Sequence, residues 1–150
     1  MSVAEAARGY FTLKNKRIEI YVDGGSRGNP GPSGVGVVIL DAGGKRLKEI
    51  SKYIGETTNN IAEYSALLYG LEEALILRAD KIIVNLDSEL VARQLTGDYR
   101  VKDPGLKPLF ERAMNMLKSF KSFEIRHIER EKNKEADKLV NRAINLASLI

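Results

Sequence analysis

Four acidic side chains stand where a chain could put them to chemical use. Asp23 follows the alternating stretch KRIEIYV and Asp87 follows KIIVNL, so each falls at the carboxyl end of an expected strand. Glu63 shares helical spacing with Leu67, Gly70, Leu71 and Ala74, and Asp137 with Val140 and Ile144, so each sits near a helix start and faces inward. Singly, every one has a structural explanation. Asp23 reads as the turn residue of an Asp-Gly hairpin, Asp87 as a helix cap, Glu63 as a capping-box partner of Asn60, and Asp137 as an acid favoured near a helix N-terminus. Gathered at one edge of a sheet, however, they repel one another unless a proton or a cation intervenes. Oxygen ligands of this kind suit magnesium, and two such ions about 3.5–4 Å apart can clamp the attacking and leaving oxygens of a phosphoryl displacement. The residue types point to phosphodiester hydrolysis.

Composition narrows the choice. The 150 residues include no cysteine, which removes disulfides, thiolate zinc sites and cysteine nucleophiles, and one histidine, His127, which removes a multi-histidine metal site. A metal must therefore be held by oxygen, which favours Mg2+, with Mn2+ as a substitute. The net charge of +4 suits a polyanionic partner and equally suits a merely soluble surface. Residues 1–16, MSVAEAARGYFTLKNK, are expected to form an N-terminal tail ahead of one domain over residues 17–150. They hold no apolar run like that of a signal peptide, and no segment is long and apolar enough for a membrane span. The expectation is a cytoplasmic monomer.

The elements that must position the carboxylates follow from periodicity. Lys16–Asp23, Ser33–Asp41 and Lys45–Ile54 read as three strands joined by short connections, hence an antiparallel meander. A helix follows from Thr57, with Thr58 or Asn60 available as its cap. Lys81–Asp87 is a buried strand, Ser88–Leu95 a short helix, Thr96–Asp103 a polar loop and Gly105–Ser119 a helix. Lys121–Glu129 is a fifth strand and Asn133–Leu149 a closing helix. The first helix can act as a right-handed crossover that lays the fourth strand parallel to the first and beside it. The fold class is α/β: a mixed five-stranded sheet, its first three strands antiparallel and the others parallel, flanked by helices. Ligands of such sheets sit beyond the carboxyl ends of the parallel strands, where Asp23 and Asp87 are expected.

The stretch YVDGGSRGNPGPSGVGVVIL leads into a strand and lacks a Lys-Ser/Thr ending, so it is not a phosphate-cradling loop. Together with TTNNIAEYSALLYGL, NLDSELVARQL and REKNKEADKLV, in that order, it resembles the motifs of ribonuclease H, type 1, from about Arg17 to the last helix. The resemblance implies a ribonuclease H-like fold and a two-magnesium site built from Asp23, Glu63, Asp87 and Asp137. It implies cleavage of the RNA strand of RNA/DNA hybrids, leaving 5′-phosphate and 3′-hydroxyl ends. It also places Gly24, Gly25, Ser26 and Asn29 in a turn facing the substrate, where some would simply make the turn, and Thr58, Asn59 and Asn60 near phosphates and 2′-hydroxyls.

Two departures from that pattern matter. Many members carry a mobile histidine on a longer loop before the last aspartate; here His127 falls on the expected fifth strand, where a structural role is the simpler reading. Arg130 stands at the loop position instead, either as an auxiliary cation near the scissile phosphate or as a plain surface residue. The segment QLTGDYRVKDPGLKP is too short for the basic protrusion that grips DNA in some relatives, so this is a short archaeal- or bacterial-like form. Hybrid binding is then expected either to be weaker or to rest on Arg100, Lys102 and the N-terminal basic residues, with RNA/RNA duplexes open to a side activity. The rival readings are a catalytically silent RNA/DNA hybrid-binding module and a related nuclease acting on DNA or structured RNA. Clustered acids facing a polyanion argue against the first, and the Thr58–Asn60 segment against DNA as the cut strand.

Overall fold

The computed structural model describes residues 16–150, so all but Lys16 of the expected tail lies outside the described residues. The described chain runs β1 (Arg17–Ser26), β2 (Gly31–Asp41), β3 (Arg46–Thr57), α1 (Asn59–Ile76), β4 (Lys81–Leu86), α2 (Glu89–Thr96), α3 (Lys107–Leu117), β5 (Ser122–His127), a 3-10 turn (Arg130–Asn133) and α4 (Lys134–Ala147). The sheet order is β3-β2-β1-β4-β5, with β1–β2 and β2–β3 antiparallel and β1–β4 and β4–β5 parallel. This is the mixed sheet expected from the sequence, with β4 beside β1.

The even residues Ile18, Ile20 and Val22 of β1 are fully buried, as are Val35, Val37 and Ile39 of β2 and Leu67 and Leu71 of α1. They form one core with Val84 and Leu86 of β4 and with Val91 of α2 and Ala113 and Leu117 of α3. Helix α4 instead packs across β2, β3 and β1, burying Ala136, Leu139, Val140, Ala143 and Ile144. Among the described residues no helix is long and apolar enough to cross a membrane.

The strand ends differ from the sequence expectation in a way that matters. Strand β1 does not stop at Asp23; it runs on to Ser26, because Gly24, Gly25 and Ser26 remain paired with Val35, Gly34 and Ser33 of β2. Its parallel pairing with β4 ends earlier, at Val22 opposite Leu86. Asp23 and Asp87 are therefore the first residues past the parallel ladder, on neighbouring strands. Strand β3 likewise extends to Thr57, opposite Gly31.

Two glycines seat the helices that bear the other carboxylates. A Cβ on Gly24 would stand 2.1 Å from the carbonyl oxygen of Ala62, the residue before Glu63. A Cβ on Gly36, which pairs with Asp23, would stand 2.1 Å from the carbonyl oxygen of Ala136, the residue before Asp137. Both contacts are with backbone, which has no rotamer through which to yield. Gly36→Ala should push α4 off the sheet and destabilise the protein by about 1–3 kcal/mol, the usual cost of overpacking, measurable as a lowered urea midpoint. An unchanged midpoint would show that α4 is not seated on this glycine.

Candidate active site

Each carboxylate arrives by its own element. Asp23 rides the overhang of β1, and Asp87 ends β4, one residue before Ser88, whose hydroxyl accepts from Val91 N–H and starts α2. Glu63 sits one turn into α1, which is capped by Thr58 through its hydroxyl and Ile61 N–H at 3.3 Å. The capping box between Asn60 and Glu63 is thus not the arrangement adopted, and the Glu63 carboxylate is free to face the cleft. Asp137 lies in the first turn of α4.

Carboxylate oxygens of Asp23, Glu63 and Asp87 approach within 4.8 Å of one another. Asp137 stands outside that tight group but lines the same cleft, a concavity of about 490 Å³. Burial, then the charges of Asp87 and Asp137, push the Asp23 carboxyl up to about 7. Glu63 is held well above its ordinary value by burial and by the charges of Asp23 and Asp87. Asp87 is raised by burial, an effect opposed by its hydrogen bond from Asn133 and by the nearby Arg130 charge. These are like charges forced together away from water, and Glu63 Oε2 is buried without a hydrogen-bond partner. Closely grouped hard oxygens with one unsatisfied buried acceptor fit a divalent cation.

The residues expected to meet substrate divide into two sets. Gly24, Gly25, Ser26, Asn59 and Asn60 line the cleft, as does Arg130. Asn29 and Thr58 do not; they shape it. Asn29 Oδ1 accepts from the Asn59 N–H at 3.1 Å, and Asn59 Oδ1 accepts from the Ser26 N–H at 2.8 Å, so the β1–β2 turn is laced to the start of α1. His127 is on β5, with Nε2 3.3 Å from the main-chain oxygen of Asp87, and is absent from the cleft lining.

Sequence reasoning missed Asn133, read only as the start of the last helix. It is 1% exposed, and its Nδ2 donates to Val22 O at 2.8 Å and lies 3.4 Å from Asp87 Oδ2. One amide thereby braces β1 just before Asp23, the Asp87 side chain, and the residue from which α4 sets out toward Asp137. The signal available was an asparagine one helical turn ahead of Asp137 in NKEAD. Arg27 and Asn141, which also line the cleft, were missed as well.

Comparison with known proteins agrees with this geometry. Residues 21–143 match the family described as "Reverse transcriptase-like". The chain is 43% identical over 129 residues to the Ribonuclease HI of Halobacterium salinarum, covering 86% of this chain and 65% of that protein. It is 40% identical over 133 residues to a bifunctional protein of Mycobacterium tuberculosis, covering 88% of this chain and 36% of that one, so it spans under two thirds of either relative. Among solved structures, RNase H1 of the same halophilic archaeon superposes with a TM-score of 0.84 at 43% identity, covering 86% of this chain and 98% of that one. LC11-RNase H1, isolated from compost by a metagenomic approach and solved in complex with an RNA/DNA hybrid, gives 0.82 at 49% identity, covering 87% and 98%. By these matches the chain belongs to the type 1 ribonuclease H family.

Proposed function

We propose that the protein is a metal-dependent endonuclease that hydrolyses the RNA strand of RNA/DNA hybrids, leaving 5′-phosphate and 3′-hydroxyl ends. The observation that carries this reading is the convergence of Asp23, Glu63 and Asp87 within 4.8 Å on the floor of a cleft that Asp137 also lines. Asp23, Glu63, Asp87 and Asp137 would hold Mg2+, two ions with substrate bound, or Mn2+ in its place. Such ions neutralise phosphate charge and lower the pKa of bound water, which is the chemistry that phosphodiester hydrolysis needs. The carboxylates hold metal and none attacks phosphorus itself. Asn59 and Asn60, with the backbone of Gly24, Gly25 and Ser26, border the strand to be cut, and a 2′-hydroxyl there is what separates RNA from DNA. Asn29 and Thr58 act by fixing that border. The reading includes a monomer working in the cytoplasm, with which a cysteine-free chain is compatible.

The deciding experiment uses an end-labelled RNA/DNA duplex and the matching RNA/RNA duplex, with magnesium and with EDTA. RNA-strand cuts should appear with magnesium, vanish with EDTA, and be abolished in Asp23→Asn while hybrid binding survives. Tight binding without cleavage under any divalent metal would favour the silent binding module instead. The RNA/RNA lane measures strictness, and weak cutting there is expected.

Arg130 lines the cleft, and its charge acts on Asp87. If it steadies the scissile phosphate, Arg130→Ala should lower kcat about 10-fold or more, in keeping with loss of one electrostatic contact in the transition state. Undiminished turnover would return Arg130 to the surface.

The carboxylate cluster also sets a pH dependence that needs no activity assay. The unfolded chain ionises Asp23 near 3.8, whereas the folded chain keeps its proton to about 7. A carboxyl raised by folding stabilises the protonated native state at low pH, and that contribution is lost as pH climbs from about 4 through about 7. In EDTA, therefore, wild-type Tm should fall relative to Asp23→Asn between pH 5 and pH 8. Millimolar magnesium should restore Tm at pH 8 more than at pH 5. A difference between the two proteins that does not change with pH would contradict the repulsive cluster.

A further inference from the structure

Two guanidinium groups, Arg27 and Arg130, line the cleft together with the carboxylates. Arg130 lies on the Asp87 side, where its charge is felt by that residue. Arg27 lies at the β1–β2 turn, beside α4. Its Nη2 donates to Asn141 Oδ1 at 3.2 Å, and Asn141 Nδ2 in turn donates to the main-chain oxygen of Asp137 at 3.1 Å. The backbone below it is fixed: Arg27 N–H donates to Pro32 O at 2.8 Å, and a Cβ on Gly31 would meet Arg27 O at 2.2 Å. Among the described residues Arg27 has no carboxylate within ion-pair distance.

A permanent cation has thus been tethered by a neutral amide rather than by an acid. That tether orients the guanidinium fork while leaving its charge unspent, and the remaining donors suit the planar, bidentate recognition of phosphate. Asn141 follows Asp137 by one helical turn, about 6 Å along α4. The Arg27 fork, held at Asn141, is therefore displaced along α4 from Asp137, toward a phosphate neighbouring the one at the carboxylates.

We propose that Arg27, oriented by Asn141, binds a backbone phosphate of the strand being cut, neighbouring the scissile one on the α4 side. This deepens the endonuclease reading and rests on it for the path of the strand. It compensates in part for the missing basic protrusion, because it places positive charge inside the cleft instead of beside it.

The test measures equilibrium binding of a fluorescent RNA/DNA duplex in EDTA, by anisotropy, between about 50 and 200 mM KCl. Arg27 is exposed, so its replacement should leave the thermal transition in place. Arg27→Ala should bind the hybrid several-fold more weakly at low salt, and the slope of log affinity against log salt should shrink by about 0.7–0.9, the loss of one phosphate contact. Arg27→Lys should keep the wild-type slope with intermediate affinity, since it keeps the charge and loses the fork. Asn141→Ala should also keep the slope while weakening binding. A wild-type slope in Arg27→Ala, or a lysine variant as weak as the alanine one, overturns the proposal. The readout is independent of cleavage. A protein that loses slope on Arg27→Ala yet never cuts RNA would sink the endonuclease reading and keep only the Arg27–phosphate contact, without its place relative to a scissile bond, whereas failure of the wild type to bind the hybrid would sink both.

Discussion

Like charges held together at a sheet edge are what the rest of this structure answers to. Asp23, Glu63 and Asp87 meet within 4.8 Å, partly shielded from water, and burial, reinforced by the charge of neighbouring acids, raises all three carboxyls. Left to themselves, such groups would swing apart or take up protons. They stay because each is carried by a different element anchored elsewhere: a strand overhang, a crossover helix and a strand end, while the closing helix brings Asp137 to the same cleft. The core beneath stabilises the assembly as a whole, and the site draws on that stability. Strain of this kind at a functional edge is offset by order in the scaffold, which is why the fold must be complete before the site exists.

The scaffold meets that demand with polar braces more than with apolar packing at the rim. Asn133 reaches from the base of α4 to Val22 and Asp87, and Asn29 and Asn59 lace the β1–β2 turn to α1. These amides accept and donate without adding charge, so they orient acids and cations without neutralising them. The Arg27–Asn141 pair follows the same logic on the cationic side. Asn133 keeps one buried oxygen without a partner, a local cost accepted in return for the fixed geometry.

How much of this could be read from the sequence depended on the physical range of each signal. Element order and the parallel placement of β4 were legible because burial imprints a period on every strand and helix, and because crossover handedness leaves few topologies. The four carboxylates were legible because each followed such a pattern at an end. The extension of β1 through Gly24, Gly25 and Ser26 was not, since those residues have little strand propensity and their strand pairing is with β2 alone. Nor was the choice of Thr58 over Asn60 as cap, which depends on where β3 finishes. Asn133 stayed hidden because its partners are 111 and 46 residues away in the chain, and no local spacing encodes them. Arg27 was passed over because it lies in a glycine-rich turn and its partner Asn141 is 114 residues away in the chain.

The seating of Ala62 on Gly24 and of Ala136 on Gly36 has an evolutionary corollary. Both carboxylate-bearing helices are referenced to the sheet by main chain touching main chain, immediately beside the residues that matter. Side chains deeper in the interior can then change volume over generations, with their neighbours repacking, while the separation of the acids hardly moves. The spacing of the carboxylates and the hydrophobic filling become separable traits. A lineage could diverge widely in core composition, toward heat, salt or cold, and still turn the same four carboxylates into the same cleft.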